Sequence, residues 1–209
     1  MMPRQIAVAV AWLSGSAGIL IIGATLVCTG SQCRVPRFDT AVLGLLNDWK
    51  SNDLDTFFAA ITWLGSLWVL VPIAVLTAWK EYWLSSLRAC LFVPLSLLLA
   101  ASLAHITKIT VERPRPELYP ATITLPVDWS FPSAHAMQVT SCLLAMVLLH
   151  RTGSIFAKTL GAAVVILLVM ASRAYLQVHF PTDIVFGLVA AIGCVIAAQK
   201  LTLEQRKVL

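Results

Sequence analysis

Charge is scarce in this sequence: Asp, Glu, Lys and Arg together make up 12% of 209 residues. A soluble domain carries about 25% charged residues, so an ordinary water-soluble globule is excluded. No run of lysines or arginines occurs, and the net charge of +5 is scattered over the ends of apolar segments. A nucleic-acid surface needs such a cluster, so no nucleic acid partner is expected. Acidic clusters suited to Mg²⁺ are missing as well. There is no internal repeat and no low-complexity tract. No clean small-x-small cleavage site stands out near the apolar run from Ile6 to Val27, which is too long for a signal-peptide core. It reads as a retained first helix that directs insertion.

What the chain has in abundance is apolar length. Hydrophobic residues make up 59% of it, and the mean hydropathy is +0.85. A spanning helix takes about 20 apolar residues. Six segments qualify: 6–28, 55–79, 86–107, 133–150, 157–177 and 181–199. The expected fold is therefore all-α, a polytopic membrane protein with a single domain over 1–209. Pro72 and Pro94 fall inside the second and third segments, where membrane helices tolerate them as kinks. Between the first two segments, Phe38, Val42, Leu45, Leu46 and Trp49 recur at helical spacing, with Asp39, Asn47 and Asp48 in other directions. This predicts a short interfacial helix, either a packing element or a cover that guides a lipid to a site. Of five cysteines, Cys90, Cys142 and Cys194 lie in apolar runs and read as small core residues. Cys28 and Cys33 bracket T-G-S-Q, and their spacing leaves a disulfide open.

Three polar segments stand out against this background. The first is K-I-T-V-E-R-P-R-P, Lys108 to Pro116. Its prolines hold Arg113 and Arg115 extended, and a stiff backbone can aim an arginine fork at phosphate oxygens. Arg113 and Glu112 also fit a surface pair. The second is W-S-F-P-S-A-H, Trp129 to His135. With Pro132 in the first turn of a helix, the amides of Ser133, Ala134 and His135 would form an anion site. The third is S-R-A-Y-L-Q-V-H-F-P-T-D, Ser172 to Asp183. A helix from His179 onward would set His179 and Asp183 one turn apart, so that the carboxylate holds the ring's tautomer. Taken singly, these segments also fit a basic interfacial loop, a capped helix start and an ion pair at a helix end. Parity joins them. The third predicted helix ends, the fourth begins, the fifth ends and the sixth begins on one membrane face.

Together the segments resemble the type-2 phosphatidic acid phosphatase superfamily, whose pattern is K-x6-R-P, P-S-G-H and S-R-x5-H-x3-D. Lys108, Arg115 and Pro116 match the first motif. Pro132, Ser133 and His135 match the second, and Ser172, Arg173, His179 and Asp183 the third. Ala134 stands where glycine is commonest; alanine keeps the amide but disfavours positive φ, so the anion-site role holds if that residue is helical. The resemblance implies that His179 attacks phosphorus and becomes a phosphohistidine oriented by Asp183. It implies that Lys108, Arg115, Ser133, Ala134 and Arg173 hold the phosphoryl oxygens, and that His135 protonates the leaving group. It implies no metal and no cofactor. The partners expected are a lipid phosphate and the bilayer. Undecaprenyl diphosphate is the first substrate expected, ahead of phosphatidylglycerol phosphate, phosphatidic acid and lipid A, the last by hydrolysis or phosphotransfer. A vanadium haloperoxidase shares the anion cage but is soluble. A lipid phosphate transporter is the non-enzyme alternative.

Orientation follows from positive charge. With the N-terminus inside, the inner segments hold Arg4, Lys80, Arg88, Arg151, Lys158, Lys200, Arg206 and Lys207. The outer ones hold Arg34, Arg37, Lys50, Lys108, Arg113, Arg115 and Arg173. Setting aside Lys108, Arg115 and Arg173 as site residues leaves eight against four. Cytoplasmic termini in a bacterial inner membrane, with an extracytoplasmic site, are the expectation. His105, Glu117, Tyr119, Asp128 and Trp129 are given surface roles, and His150 lies far from the cluster.

Overall fold

The structure, a computed structural model, describes residues 3–29, 32–149 and 153–203. His150, Arg151, Arg206 and Lys207 lie outside them. Helix α1 (Pro3–Val27) leads into a hairpin of two-residue strands, β1 (Cys28–Thr29) and β2 (Gln32–Cys33). Then come α2 (Arg37–Asp48), α3 (Asn52–Ile61), a 3-10 turn (Thr62–Gly65) and α4 (Leu67–Leu84). The rest is α5 (Leu87–Val111), α6 (Ala134–Leu149), α7 (Ile155–Tyr175) and α8 (Pro181–Thr202). The all-α, polytopic expectation agrees with this. Helices α1, α4, α5, α7 and α8 are long and apolar enough to cross a membrane, while α6 has 16 residues and is shorter. Pro72 and Pro94 sit inside α4 and α5 as expected.

One expectation is corrected. The segment 55–79 is not one span: α3, the 3-10 turn and an extended Ser66 precede α4. Ser51 caps α3 by accepting the Leu54 amide at 3.3 Å, and Asp53 and Asp55 in its first turn suit the positive end of the helix dipole. Two short helices, not one, therefore follow the hairpin. Helix α2 lies where the short helix between the first two segments was expected. Its exposed apolar face carries Phe38, Leu45 and Trp49, but Asp39 is fully buried against the protein beside Leu43.

Small residues set the closest helix pair. On α1 the buried Ala9, Ser16 and Gly23 recur every seven residues, and Ser16 and Gly23 face α8. A Cβ on Gly193 of α8 would come 2.1 Å from Ser16 Oγ and 3.2 Å from the Trp12 carbonyl oxygen, so glycine there lets the two helices pack closely. Helix α6 packs between α5, α7 and α8, and its buried side includes Met137, Val139 and Cys142. The open question about Cys28 and Cys33 is answered: the hairpin register places them opposite each other, and they are disulfide-bonded. This end of the bundle also carries the C-termini of α5 and α7 and the N-termini of α6 and α8.

Candidate active site

Helix α5 ends at Val111, with Glu112 in the left-handed region at φ 51 as its cap. The buried Lys108 in its last turn donates to the Trp129 carbonyl and pairs with Asp128 at 3.1 Å. Arg113 and Glu112 do not form the surface pair that was one reading of this loop. Arg113 is fully buried and ion-paired to Asp39 and Asp183. Arg115 takes the other direction. It donates from Nε to the Asp128 carbonyl at 2.9 Å, from one terminal nitrogen to the Asp128 carboxylate, and from the other to the Val178 carbonyl at 2.6 Å.

Pro132 lies outside the first turn of α6, which begins at Ala134. A cis peptide joins Phe131 to Pro132. Ser133 caps the helix, its hydroxyl accepting the Ala136 amide at 3.5 Å. The Ser133 amide is not free for an anion, because it donates to the Asp183 carbonyl at 3.1 Å. Ala134 is helical, so it needs no positive φ, and as the first residue of α6 its amide has no intrahelical acceptor. His135 lies under the 3-10 turn, where a Cβ on Gly65 would come 3.1 Å from its ring.

At the end of α7, the turn through Leu176 to Phe180 is held by the Arg173 carbonyl, which accepts the Val178 and His179 amides at 3.2 Å each. Gln177 adopts φ 59 here and donates to the Leu43 carbonyl at 3.0 Å. His179 precedes α8 instead of belonging to it. It still meets Asp183: Nδ1 stands 3.5 Å from Oδ2, because Asp183 folds back to accept the Phe180 amide at 3.0 Å. An Arg115 terminal nitrogen lies 3.3 Å from His179 Nε2. A guanidinium only donates, so Nε2 is the acceptor and the ring proton is on Nδ1, facing the carboxylate. Burial, then the charges of Lys108, Arg115, Arg173 and His135, hold His179 well below its ordinary pKa. The buried Arg173 donates to Thr62 Oγ1 at 2.6 Å, and its Nε finds no partner among the described residues.

The PAP2 superfamily profile matches residues 89–207, more than half of the chain and all three polar segments. The chain belongs to the PAP2 superfamily. No curated protein matches it in sequence. A transmembrane PAP2-type phosphatidylglycerolphosphate phosphatase from Bacillus subtilis superposes with a TM-score of 0.76, at 23% identity over 93% of this chain and 96% of that one. Aquifex aeolicus LpxE superposes with a TM-score of 0.62, at 25% identity over 77% of this chain and 94% of that one. By family and fold this is a PAP2-type membrane phosphatase.

Within this PAP2 chain, the eight candidate site residues lie at one end of the bundle, with Lys108, Arg115, Arg173 and His135 close enough to His179 to act on its charge; the residues that support them are not evident from the sequence. Ser130 donates to Asp183 Oδ2 and lies 3.5 Å from His179 Nδ1. Thr62 holds Arg173, and Asp128 occupies Lys108 and Arg115 together. Burial alone would raise the Asp128 carboxyl, but Lys108 and Arg115 outweigh it and leave it below the usual carboxylate range. His105 is exposed and takes no part. An apolar groove of about 360 Å³ lined by Leu143, Val147 and Val165 lies some 13 Å along α6 from Ala134, so it is separate from this cluster. Among the described residues no group of His, Cys, Asp or Glu is arranged to hold a metal ion.

Proposed function

We propose that this protein hydrolyses lipid phosphates or diphosphates through a phosphohistidine on His179. One observation carries the reading: an imidazole whose unprotonated Nε2 faces a terminal nitrogen of Arg115 and whose other nitrogen faces Asp183. In the reaction, Nε2 attacks phosphorus and the bond to the leaving oxygen breaks. His135 gives that oxygen its proton, then takes one from the water that cleaves the phosphohistidine. Arg115 exchanges its contact with Nε2 for a phosphoryl oxygen. Lys108, Arg173 and the amide of Ala134 bind the remaining oxygens, where charge gathers in the transition state. Ser133 serves mainly as the helix cap and turns its hydroxyl to the phosphate only when substrate enters. These fixed cations take the place of a divalent metal.

Undecaprenyl diphosphate stays first among substrates by resemblance to compact bacterial members, with phosphatidylglycerol phosphate second. Phosphatidic acid and lipid A, by hydrolysis or phosphotransfer, follow. The site faces the extracytoplasmic side of an inner membrane crossed six times, with α6 as the short central span and both termini in the cytoplasm. A lipid phosphate transporter would need the cation cage but not a histidine held in one tautomer by an aspartate. The test is phosphate release in EDTA across short-chain diphosphates and monophosphates, with His179→Ala alongside. We expect full turnover in EDTA and a loss of at least about a thousandfold in the variant. Strong inhibition by EDTA, or a fully active His179→Ala, would overturn the mechanism.

A further inference from the structure

Arg113 does no work in the reaction as described, yet it is the largest fully buried side chain among the described residues. One terminal nitrogen donates to Asp183 Oδ1 and to Thr182 Oγ1, the latter at 2.9 Å. The other donates to Asp39 Oδ2 at 3.1 Å and to the Arg34 carbonyl at 3.3 Å. The Phe180 ring lies 4.0 Å from the guanidinium carbon. Asp39, fully buried as well, accepts the Thr182 amide at 2.9 Å and the Thr182 hydroxyl at 2.7 Å. A carboxylate from α2 thus caps the first turn of α8 from outside that helix.

The charge balance explains why two aspartates meet one arginine. Paired with Asp183 alone, Arg113 would cancel the negative charge that His179 faces. Shared with Asp39, it leaves a net negative charge on the Asp39–Arg113–Asp183 triad. Sharing also fixes the Asp183 carboxylate plane, since Oδ1 is held by Arg113 and Oδ2 by Ser130 and the Phe180 amide. We infer that Asp39 and Arg113 are positioning residues that set the basicity of His179 by dividing one guanidinium between Asp39 and Asp183. This rests on the reading of His179 as the nucleophile. It makes α2, the interfacial helix, part of the reaction machinery through Asp39.

The other charges facing His179 are Lys108 on α5, Arg115 and Asp128 in the loop after it, His135 on α6 and Arg173 on α7. On α3, Asp55 is engaged by the Tyr175 hydroxyl at 2.8 Å. None of these is altered by changes at 39 or 113, so shifts can be assigned to the triad. Asp39→Asn leaves Arg113 wholly to Asp183, and the titration of His179 moves to lower pH. Arg113→Gln removes the cation and moves it to higher pH. A buried charge one ion pair removed from the ring is expected to be worth about half a pH unit in each direction. The double variant Asp39→Asn/Arg113→Gln returns it toward the parent, because the net charge beside His179 is again that of one carboxylate, Asp183, still held by Ser130 and the Phe180 amide. Arg113→Lys keeps the charge but loses the fork, so the titration stays while kcat falls and KM holds.

Two readouts on the full-length protein in detergent separate the failures. The first is ring titration by ¹⁵N-histidine NMR, with the His179→Gln spectrum assigning the resonance; it needs no turnover. The second is the acidic limb of kcat/KM on the substrate found in the phosphate-release panel. Opposite shifts in the two single variants support the relay. Shifts in one direction, or none, overturn it, whether or not the parent releases phosphate. A parent that titrates as expected but releases no phosphate overturns the phosphatase reading alone. If Arg113→Gln does not fold, a downward shift in Asp39→Asn with an unmoved Arg113→Lys supports the relay, and an unmoved Asp39→Asn overturns it.

Discussion

Asp128 sits half-exposed on the two cations that a phosphoryl group would use, 3.1 Å from Lys108 and in contact with Arg115. It is an internal anion in the place of the external one. Its lowered pKa fixes the sign of the pH effect: the carboxylate is present above the ordinary carboxylate range and is lost only as pH falls below it. At neutral pH an entering phosphate must therefore displace it from both cations. Removing the charge leaves the cations free. Asp128→Asn is expected to tighten inhibition by inorganic phosphate or vanadate about fivefold, which is the ~1 kcal/mol scale of one half-exposed pair. Weaker inhibition in that variant would mean that Asp128 orders the cations more than it blocks them.

At the scale of elements, the 3-10 turn before α4 acts as a roof. A Cβ on Gly65 would come 2.7 Å from Val169 and 3.1 Å from the His135 ring, so the turn packs there only as glycine. Gly65→Ala must push either α7 or the histidine aside. A misplacement of about 1 Å can cost a hundredfold in rate, and kcat is expected to fall at least tenfold with KM little changed. Gly161→Ala on α7 meets nothing within 4 Å and should leave the kinetics unaltered. Equal kinetics in the two variants would remove the roof from the site. The sequence could not announce this turn. Phe57 to Leu76 is nearly continuous in hydropathy, and the break at Gly65–Ser66 is decided by contact with α7, more than a hundred residues away. The motif residues were legible because fixed spacings and helix parity are local quantities. Arg113 was not, because a proline-flanked arginine next to Glu112 looks like surface. Its partners, Asp39 and Asp183, are each about 70 residues distant. The burial of Asp39 was not legible for a related reason: helical spacing sets it apart from the apolar stripe of α2 but does not say which face meets protein.

For the whole molecule, one topological fact does most of the work. Helices α5 and α7 end, and α6 and α8 begin, at the end that holds the disulfide hairpin and α2. Four helix ends can share a face only if α5 to α8 alternate in direction, so sidedness can be read from any exposed loop. Val127 is fully exposed in the loop between α5 and α6, beside Asp128 of the cation cluster. Ser154, the cap of α7, lies at the opposite end. The native thiols interfere little, since Cys142 and Cys194 are buried, Cys90 is half-buried, and Cys28 and Cys33 are bonded to each other. In right-side-out vesicles, Val127→Cys is expected to react with an impermeant maleimide at once, and Ser154→Cys only after the membrane is opened. The reverse order would put the cation cage in the cytoplasm. The disulfide would then face a reducing compartment, where it would not persist, and an extracytoplasmic lipid diphosphate could not be the substrate. The order of labelling therefore tests the orientation, the hairpin's redox state and the substrate class together.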